Sequence, residues 1–233
     1  MGHKFAEFAF TPSVRVVQQE HGSRDHYARI DTGADSHQEL GPGEQEFIES
    51  HDSFYLASVG ETGWPYVQHR GGRAGFLRLL DSRTITFADY RGNRQYISVG
   101  NLGHDGRVAL ILVDYPTRTR LKILGRARIV APTELALLAA RVEPKVRVNS
   151  ERGIVIRIEA FDWNCPQHIT PRYAMAQIEE LVLPLQERIR ELEARTGGTP
   201  REASRVRREI STSPDRSSTL VGKPKRRHDP GAG

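Results

Sequence analysis

Four short apolar segments separated by tight turns constrain the fold of this chain more than any other feature. They read SFYLASVG, WPYVQHR, FLRLL and TITFAD, and each is rich in β-branched, aromatic or other apolar residues. The connections between them are ETG, GGRAG and DSR. Segments this short with turns this tight predict an antiparallel β-meander, with strands at residues 53–60, 64–70, 76–80 and 84–89.

Three further segments extend this pattern. RVALILVD is apolar on both faces, which predicts a central strand. TRLKILGRARIV follows it, and RGIVIRIEAFDW alternates isoleucines on one face. Because six or seven antiparallel strands would leave exposed edges in an open sheet, we predict a mainly β fold with flanking helices, built around a small closed β-barrel. The additional strands are predicted at residues 107–114, 119–130 and 152–163.

Helix signals lie on both sides of these strands. Thr11 is a good N-cap residue, and a proline follows it at the first helical position. The polar, glycine-punctuated residues 22–42 predict a long surface loop instead. Pro184 should kink or break the last helix, which is expected to close the barrel. Helices are predicted at residues 12–20, 44–50, 93–102, 132–142 and 170–194.

The positive charge of the chain is concentrated towards its C-terminal end. The formal net charge is +5, and residues 196–233 carry nine Lys or Arg against four Asp or Glu. This segment is also rich in Ser, Pro and Gly, so we expect a disordered, mainly solubilising tail. Weak contact with nucleic acid through KPKRR is the alternative. The predicted organisation is an N-terminal helix and wrapping loop (1–43), a barrel with its closing helix (44–195) and the tail.

Composition excludes several classes of site. Cys165 is the single cysteine, so neither an intrachain disulfide nor a cysteine-rich zinc site can form. His168 lies three residues beyond it, but a metal would need two further ligands and no other pair has supporting spacing, so no metal is expected. The sequence holds no apolar run of signal-peptide or membrane-spanning length. We therefore expect a cytoplasmic protein with no membrane partner.

The segment FADYRGNRQ ends one predicted strand and leads into a predicted helix. Arg91 and Arg94 flank Gly92-Asn93, and Asn93 stands where a helix N-cap is expected. Bringing two guanidinium groups together in a tight turn is costly unless an anion neutralises them. Together with the free N–H groups of a helix start, the two arginines predict a phosphate site.

A second set of basic residues falls on one alternating face of the predicted strand 119–130. For Arg126 and Arg128 we favour a solvated strand face, with the side chains lying over apolar neighbours. The whole set is Arg118, Arg120, Lys122, Arg126 and Arg128.

The order of these segments resembles a known family. WPYVQHR, a second hairpin, FADYRGNRQ with its helix, RVALILVD and TRLKILGRARIV follow one another as in the pyridoxamine 5′-phosphate oxidase-like FMN-binding split-barrel family. The resemblance covers about residues 44–165. It implies a split β-barrel of six to seven antiparallel strands, FMN as the cofactor, and a homodimer with FMN at the subunit interface.

The resemblance also implies which residues hold FMN. The family binds the phosphate at the turn after the fourth strand and the flavin ring along a preceding strand, while a polar residue of the strand matching 119–130 reaches the ring edge or ribityl chain. The residues that match the phosphate turn are Ala88, Asp89, Arg91, Asn93, Arg94 and Gln95. Those that match the ring strand are Val67, Gln68, His69 and Arg70, and Arg120 or Lys122 matches the third position.

The chain departs from the vitamin B6 oxidase itself in two places. The oxidase has Ser-Arg-Lys at the phosphate turn, whereas this chain has Gly92-Asn93-Arg94. The basic residues that would bind pyridoxamine phosphate near the C-terminus are also not recognisable. A substrate other than vitamin B6 is therefore expected.

After the last predicted strand the chain carries DWNCPQHITPR. Trp163 could stack on the flavin ring, with Asn164 or His168 hydrogen-bonding to it. The alternative is a packed chain reversal in which Trp163 belongs to the core and Cys165 is an inert buried thiol.

These observations predict an FMN-dependent oxidoreductase. His69 and His168 are the candidates for proton transfer. Two alternatives stay open: a deazaflavin- or haem-binding barrel of the same class, and a non-catalytic flavin-binding or regulatory protein.

Overall fold

The computed structural model describes residues 3–31, 37–142, 150–164 and 167–196. The chain divides into two compact units, residues 1–172 and residues 173–233. Among the described residues, the first unit holds all the strands and every helix except the last. The segment expected to be a disordered tail lies, apart from its first residue, outside the described residues.

Seven strands form one antiparallel sheet in the order β2-β1-β5-β6-β7-β4-β3. All seven predicted strands are present, and β5 and β6 begin and end at the predicted residues. The apolar strand β5 lies between β1 and β6, so it is an interior strand as predicted, with alternate residues buried and the residues between them partly exposed. The strands are β1 (Ser53–Val59), β2 (Pro65–Gly71), β3 (Arg78–Asp81), β4 (Thr84–Asp89), β5 (Arg107–Asp114), β6 (Thr119–Val130) and β7 (Arg152–Asn164).

The sheet curls until its two ends approach each other. Phe54 of β1 packs edge-to-face on Phe87 of β4, with ring centroids 5.3 Å apart, although three strands separate β1 from β4 in the sheet. The hydrogen-bonded ladder nevertheless ends at β2 on one side and β3 on the other. The predicted mainly β barrel with flanking helices is confirmed, and it is split along the line where β2 faces β4.

Alternating side chains of every strand except β2 fill the barrel interior. Leu56, Leu121, Ile123 and Ile156 are fully buried within one continuous apolar core. Period-two alternation places these residues on one face of their strands, which is why the sequence pattern identifies them.

Among the described residues, six helices accompany the sheet in the first unit and one helix lies in the second. Thr11 caps α2 as predicted, since its hydroxyl oxygen accepts the Val14 N–H at 3.4 Å. The predicted helix over 132–142 has the observed bounds, and α7 runs through Pro184 without a break. The helices are α1 (Lys4–Ala9), α2 (Pro12–Glu20), α3 (Arg24–Asp31), α4 (Pro42–Ser50), α5 (Ile97–His104), α6 (Pro132–Val142) and α7 (Met175–Thr196).

The predicted surface loop over residues 22–42 was wrong for its first half, which contains α3. Arg24 donates to the side-chain oxygen of Gln18 at 2.8 Å, and Tyr27 packs edge-to-face on Phe10 at 5.3 Å. These contacts to neighbouring helices stabilise a segment whose own sequence is too polar to predict a helix.

The predicted start of α5 at Asn93 was also wrong, because the helix begins at Ile97. Arg94 and Tyr96 have φ angles of 61° and 53°, which lie in the left-handed region and cannot continue a right-handed helix. Asn93 is therefore not an N-cap, and its side-chain oxygen accepts the Gln95 N–H at 3.3 Å within the turn.

Helix α1 covers the outer face of β6 and β7. The ammonium of Lys122 lies 4.7 Å from the ring centroid of Phe5 and 2.8 Å from a carboxylate oxygen of Asp162. His3 stacks on His37 with ring centroids 3.7 Å apart. Burial, and then the charge of the neighbouring His37, lower the pKa of His3, so His3 packs as a neutral side chain at pH 7.

No helix within the described ranges is long and apolar enough to cross a membrane.

Gly125 of β6 lies where β7 comes closest. A Cβ atom there would lie 2.6 Å from the carbonyl oxygen of Arg157 and 2.8 Å from Ile156. The register between β6 and β7 shifts at this point. We expect Gly125→Ala to lower the free energy of unfolding by about 2 kcal/mol, because backbone atoms cannot yield to the added methyl group. Urea denaturation measures the change.

Gly43→Ala is the matched control, since Gly43 lies in α4 and a Cβ there meets no atom within 4 Å. It should leave the free energy of unfolding unchanged or raise it, because alanine is the better helix former. Equal destabilisation by both substitutions would contradict the close-approach argument.

Candidate functional site

A cleft of about 280 Å³ opens along the split of the barrel. One wall is β2, whose alternate side chains face inward, and the other is the end of β4 with the turn that leads into α5. The cleft is lined by Tyr66, Gln68 and Arg70 of β2, by Asp89, by the turn residues 90–96, and by Ile97, Ser98 and Val99 of α5.

The turn between β4 and α5 has an unusual backbone. Gly92, Arg94 and Tyr96 have positive φ angles, and the residues between them do not. This alternation is shared with the backbone nests that bind anions. No side chain caps α5, so the N–H groups of its first turn are left for a ligand.

Contacts behind the turn hold it in this conformation. The Tyr96 hydroxyl donates to a carboxylate oxygen of Glu151 at 3.4 Å, and the Arg152 guanidinium lies 4.9 Å from the Tyr96 ring centroid. Glu151 also pairs with Arg152 and lies 3.7 Å from Arg91. A non-glycine residue with positive φ is costly, so these contacts compensate for strain at the edge of the cleft.

A buried carboxylate joins the two walls of the cleft. Asp89, whose side chain is 6% exposed, accepts from Arg70 of β2 at 2.5 Å and lies 3.5 Å from Arg152 of β7. Arg70 and Arg152 are themselves 15% and 18% exposed. Arg70 also lies over the ring of Phe87. This charge cluster ties β2 to β4 where the ladder provides no hydrogen bonds.

The cleft has an excess of positive charge. Among the described residues in and behind it, four guanidinium groups face two carboxylates. The Nε of Arg70 is buried, and no acceptor in the described part of the chain reaches it. The excess of guanidinium groups is a charge that an anionic ligand would balance. The groups are Arg70, Arg91, Arg94, Arg152, Asp89 and Glu151.

Polar side chains also connect the cleft to α5. Ser98 donates from its hydroxyl to the side-chain oxygen of Gln68 at 2.8 Å, and Asn101 donates to the Ser58 hydroxyl at 3.0 Å. These bonds fix the first turn of α5 against the inner face of β1 and β2. The orientation of the cleft wall is therefore set by the barrel and not by the turn alone.

The structure brings together most of the residues predicted from the phosphate turn and the ring strand. His69 and Ala88 line a neighbouring recess of about 180 Å³ that shares Arg70, Asp89 and Tyr90 with the cleft. Seven predicted residues line the cleft itself: Gln68, Arg70, Asp89, Arg91, Asn93, Arg94 and Gln95.

Other predicted residues lie on the outer face of the sheet. Val67 and Lys122 line an apolar depression between the sheet and α1, and Lys122 is paired with Asp162. Arg120 lies two residues before Lys122 and therefore on the same face of β6. Arg126 and Arg128 are exposed, as expected, and the carboxylates of Glu159 and Glu134 lie 3.3 Å and 2.7 Å from them, respectively.

The segment after the last strand is only partly described. Trp163 lies outside the cleft: its indole N–H donates to Glu44 at 2.9 Å, and its ring packs on Phe47 with centroids 4.7 Å apart. His168 is exposed, with a φ of 63°. Cys165 and the side chain of Asn164 lie outside the described residues.

Sequence reasoning missed several residues at the cleft. Tyr66 shares its strand face with Gln68 and Arg70, so the period-two pattern already contained it. Ser98 was assigned only to the interior of a helix. Glu151 and Arg152 come from the start of β7, about 60 residues beyond the turn, and no local signal could have placed them there.

Within the described ranges, no group of three or more His, Cys, Asp or Glu side chains is placed to hold a metal ion. The groups that the cleft offers to a ligand are guanidinium groups and backbone N–H groups.

The comparison with known families agrees with this geometry. The family model described as pyridoxamine 5′-phosphate oxidase matches residues 42–162, about half of the chain. The chain belongs to the pyridoxamine 5′-phosphate oxidase family. The matched range begins at α4 and ends at Asp162, two residues before the end of β7. It therefore contains both walls of the cleft and all of the split barrel except those two residues.

Three proteins of known structure illustrate the similarity in fold. A putative pyridoxamine 5′-phosphate oxidase from Lactobacillus delbrueckii is 22% identical, with 54% of this chain and 94% of that chain covered and a TM-score of 0.42. HupZ from Group A Streptococcus is 18% identical, with 57% and 100% covered and a TM-score of 0.42. An F420 reductase is 21% identical, with 53% and 98% covered and a TM-score of 0.38. No match was found among curated protein sequences.

The buried Asp89 is the first point at which this site can be tested. We expect Asp89→Asn to lower the free energy of unfolding of the cofactor-free protein by about 3 kcal/mol, because two mostly buried guanidinium groups lose their counter-charge. Thermal or urea denaturation measures the change.

Glu159→Gln is the matched control for Asp89→Asn. It removes one carboxylate from the exposed pair with Arg126, which is worth at most about 1 kcal/mol. Losses of similar size in the two variants would mean that Asp89 does not join the two walls of the cleft.

The Trp163–Glu44 bond makes stability depend on pH. Burial raises the pKa of Glu44, but hydrogen bonds from the Trp163 indole and from backbone N–H groups outweigh it and lower the pKa below 4.5. A lowered pKa stabilises the fold above pH 4.5, and this contribution is lost as the pH falls through the pKa of the folded state. Trp163→Phe should therefore cost more stability near pH 7 than near about pH 3.

Urea denaturation of both proteins at the two pH values tests this expectation. Trp64→Phe, at a side chain that is 77% exposed, is the control and should show no pH-dependent difference. A stability loss by Trp163→Phe that is the same at both pH values would exclude the hydrogen bond to Glu44 as its cause.

Proposed function

We propose that this protein is an FMN-dependent oxidoreductase whose substrate is not vitamin B6. The observation that carries the proposal is the cleft, in which guanidinium groups outnumber carboxylates and the buried Nε of Arg70 lacks an acceptor. FMN ends in a phosphate dianion, and the family to which the chain belongs is named for an oxidase.

The turn supplies the groups that would hold the phosphate. Arg91 and Arg94 offer guanidinium forks at the mouth of the cleft, and the uncapped N–H groups at the start of α5 add the positive end of a helix dipole. Arg70 adds a third cation on the opposite wall. Because Tyr96 and Arg94 already have positive φ angles, the turn needs little rearrangement to bind.

The polar groups of β2 and α5 would orient the rest of the cofactor. Gln68 and Ser98 already bond to each other on the cleft wall, so their remaining donor and acceptor positions point in fixed directions. Tyr66, Tyr90 and Tyr96 add aromatic surface that can exclude water from the reacting groups. The bound flavin would supply the hydride chemistry, and the protein would supply position and electrostatics.

His69 is the better placed of the two histidines predicted for proton transfer. It lines the recess next to the cleft together with Arg70 and Asp89, whereas His168 does not line the cleft or that recess. We therefore assign His69 as the first candidate acid or base and retain His168 as the second.

An apolar depression on the outer sheet face supports the expected homodimer. About 270 Å³ in volume, it is lined by apolar residues of β1, β2, β5 and β6 together with Phe5 and Lys122. Tyr55 is 41% exposed and Val67 is 60% exposed there. A second copy of the chain would cover these residues and bring Val67, Arg120 and Lys122 to the subunit interface, where the family binds FMN.

The difference at the phosphate turn supports a different substrate. Gly92-Asn93 replaces the Ser-Arg of the vitamin B6 oxidase at the turn, and the basic residues that would bind a substrate phosphate near the C-terminus are not recognisable. We infer a substrate that does not need a second phosphate site.

The visible absorbance spectrum of the freshly purified protein is the direct test of the cofactor. We expect the two-banded spectrum of oxidised flavin, with FMN released on heating and identified by its mass. A deazaflavin or haem in the released fraction, or a colourless protein that does not bind added FMN, would overturn the proposal.

The role of the turn is tested by Arg91→Ala combined with Arg94→Ala. We expect the Kd for FMN to rise by about 100-fold or more, because two charge-assisted hydrogen bonds to the phosphate are lost. Titration of cofactor-free protein with FMN, followed by flavin fluorescence, measures the change.

Arg126→Ala combined with Arg128→Ala is the matched control. It removes the same charge from an exposed strand face outside the cleft and should leave the Kd for FMN within about threefold. Full FMN occupancy in the Arg91/Arg94 variant, with the fold intact, would show that the turn does not bind the phosphate.

A further inference from the structure

Helix α7 carries an apolar stripe that repeats every seven residues. From Met175 to Leu192, successive members are separated alternately by three and by four residues. If the seven positions of each repeat are labelled a to g, these residues occupy the a and d positions of three heptads. All of them are exposed. The stripe consists of Met175 (69% exposed), Ile178 (39%), Val182 (37%), Leu185 (63%), Ile189 (52%) and Leu192 (43%).

The spacing is that of a coiled-coil seam and not that of a helix packed on a broad surface. The six residues named above keep a period of 3.5, as in a coiled coil, and Leu181 (61% exposed) at a g position widens the stripe on one side. The helix is 22 residues long, or about 33 Å. That length is enough for three heptads in a short coiled coil.

The residue types at the seam indicate how many helices pair and whether they run parallel. Val182 and Ile189, which are β-branched, occupy a positions, and Leu185 and Leu192 occupy d positions. β-branched residues at a with leucine at d favour a parallel two-stranded coiled coil. Ile178 at the first d position is compatible with the same arrangement.

The charges that flank the seam agree with a parallel pair. In a parallel dimer, a g residue of one helix faces the e residue five positions later in the other. Arg188 is at a g position and Glu193 is at an e position, so Arg188 of each helix would face Glu193 of the other. Two such pairs of opposite charge would form in the dimer. No like-charged g–e pair arises along the three heptads, since the preceding g residue is Leu181 and faces Gln186.

We propose that α7 pairs in parallel with α7 of a second copy of this chain, forming a short two-stranded coiled coil. The inference does not rest on the cofactor or on the activity. The coiled coil would be a second contact between the two copies, beside the proposed contact between their barrels. Formation of either contact would raise the effective concentration at which the other one forms.

Pro184 is compatible with this arrangement. It lies at a c position, on the side of the helix that faces away from the seam, and α7 continues through it. Its missing N–H leaves one carbonyl of the preceding turn exposed to water on the outer face, where hydration satisfies it. Leu183, at a b position, also stays outside the seam.

Disulfide trapping in the full-length chain tests the pairing. In a Cys165→Ser background, Ile178→Cys places a thiol at a d position, and Glu180→Cys places one at an f position two residues away. A disulfide needs Cα atoms within about 7 Å, which a parallel seam provides at d but not at f. We expect mild oxidation to give mostly covalent dimer with Ile178→Cys and at least tenfold less with Glu180→Cys.

The trapping result also decides the direction of the helices. In an antiparallel pair, each a residue faces a d residue of the partner helix, so Ile178 would face Ile189. Ile178→Cys alone would then not cross-link, but an equal mixture with Ile189→Cys would. That outcome would overturn the parallel arrangement. Equal trapping of Ile178→Cys and Glu180→Cys would overturn the coiled coil altogether.

Charge reversal provides a second readout in the Ile178→Cys protein. Arg188→Glu should slow cross-linking several-fold, and adding Glu193→Arg should restore it, because the reversed pair is again complementary. A rate that neither substitution changes would contradict the register. The Arg91/Arg94 variant should cross-link like its parent, which separates failure of this proposal from failure of FMN binding.

Discussion

The carboxylate of Asp89 is the contact on which the arrangement of the site depends. A curled seven-stranded sheet can close by hydrogen bonds or remain split, and here β2 and β4 are joined instead by a charge cluster in which Arg70 and Arg152 share Asp89. The pair is buried, so it is costly unless every group is satisfied. Within the described part of the chain, the cluster leaves one such group, the buried Nε of Arg70, without an acceptor.

Local patterns were sufficient to predict the barrel. Short β-branched segments with tight turns identified seven strands, and the two-faced apolar segment identified the central strand β5. These features depend on neighbours within a few residues, and the chemistry of one segment is enough to show them. The turn that lines the cleft was also identified locally, since Arg91 and Arg94 are close in sequence and both lie at the cleft.

What the sequence did not reveal depends on contacts between distant segments. The first turn predicted for α5 is instead a strained loop, because Glu151 and Arg152 hold Tyr96 in a left-handed conformation from the start of β7. Helix α3 owes its stability to contacts with α2 and with Phe10, which its own polar composition gave no reason to expect. Trp163 could be assigned to the ring or to the core from sequence, and its bond to Glu44 involves a residue 119 positions away.

The two strands that end the sheet have a further consequence. A split barrel leaves two open edges, and unpaired strand edges invite pairing with other chains. Here one edge begins with Pro65, and the other is a strand of only four residues that carries Arg78 and Asp81. Proline lacks an N–H, and short charged strands pair poorly, so both edges resist aggregation. The opening of the barrel is thus protected from becoming a site of uncontrolled strand addition.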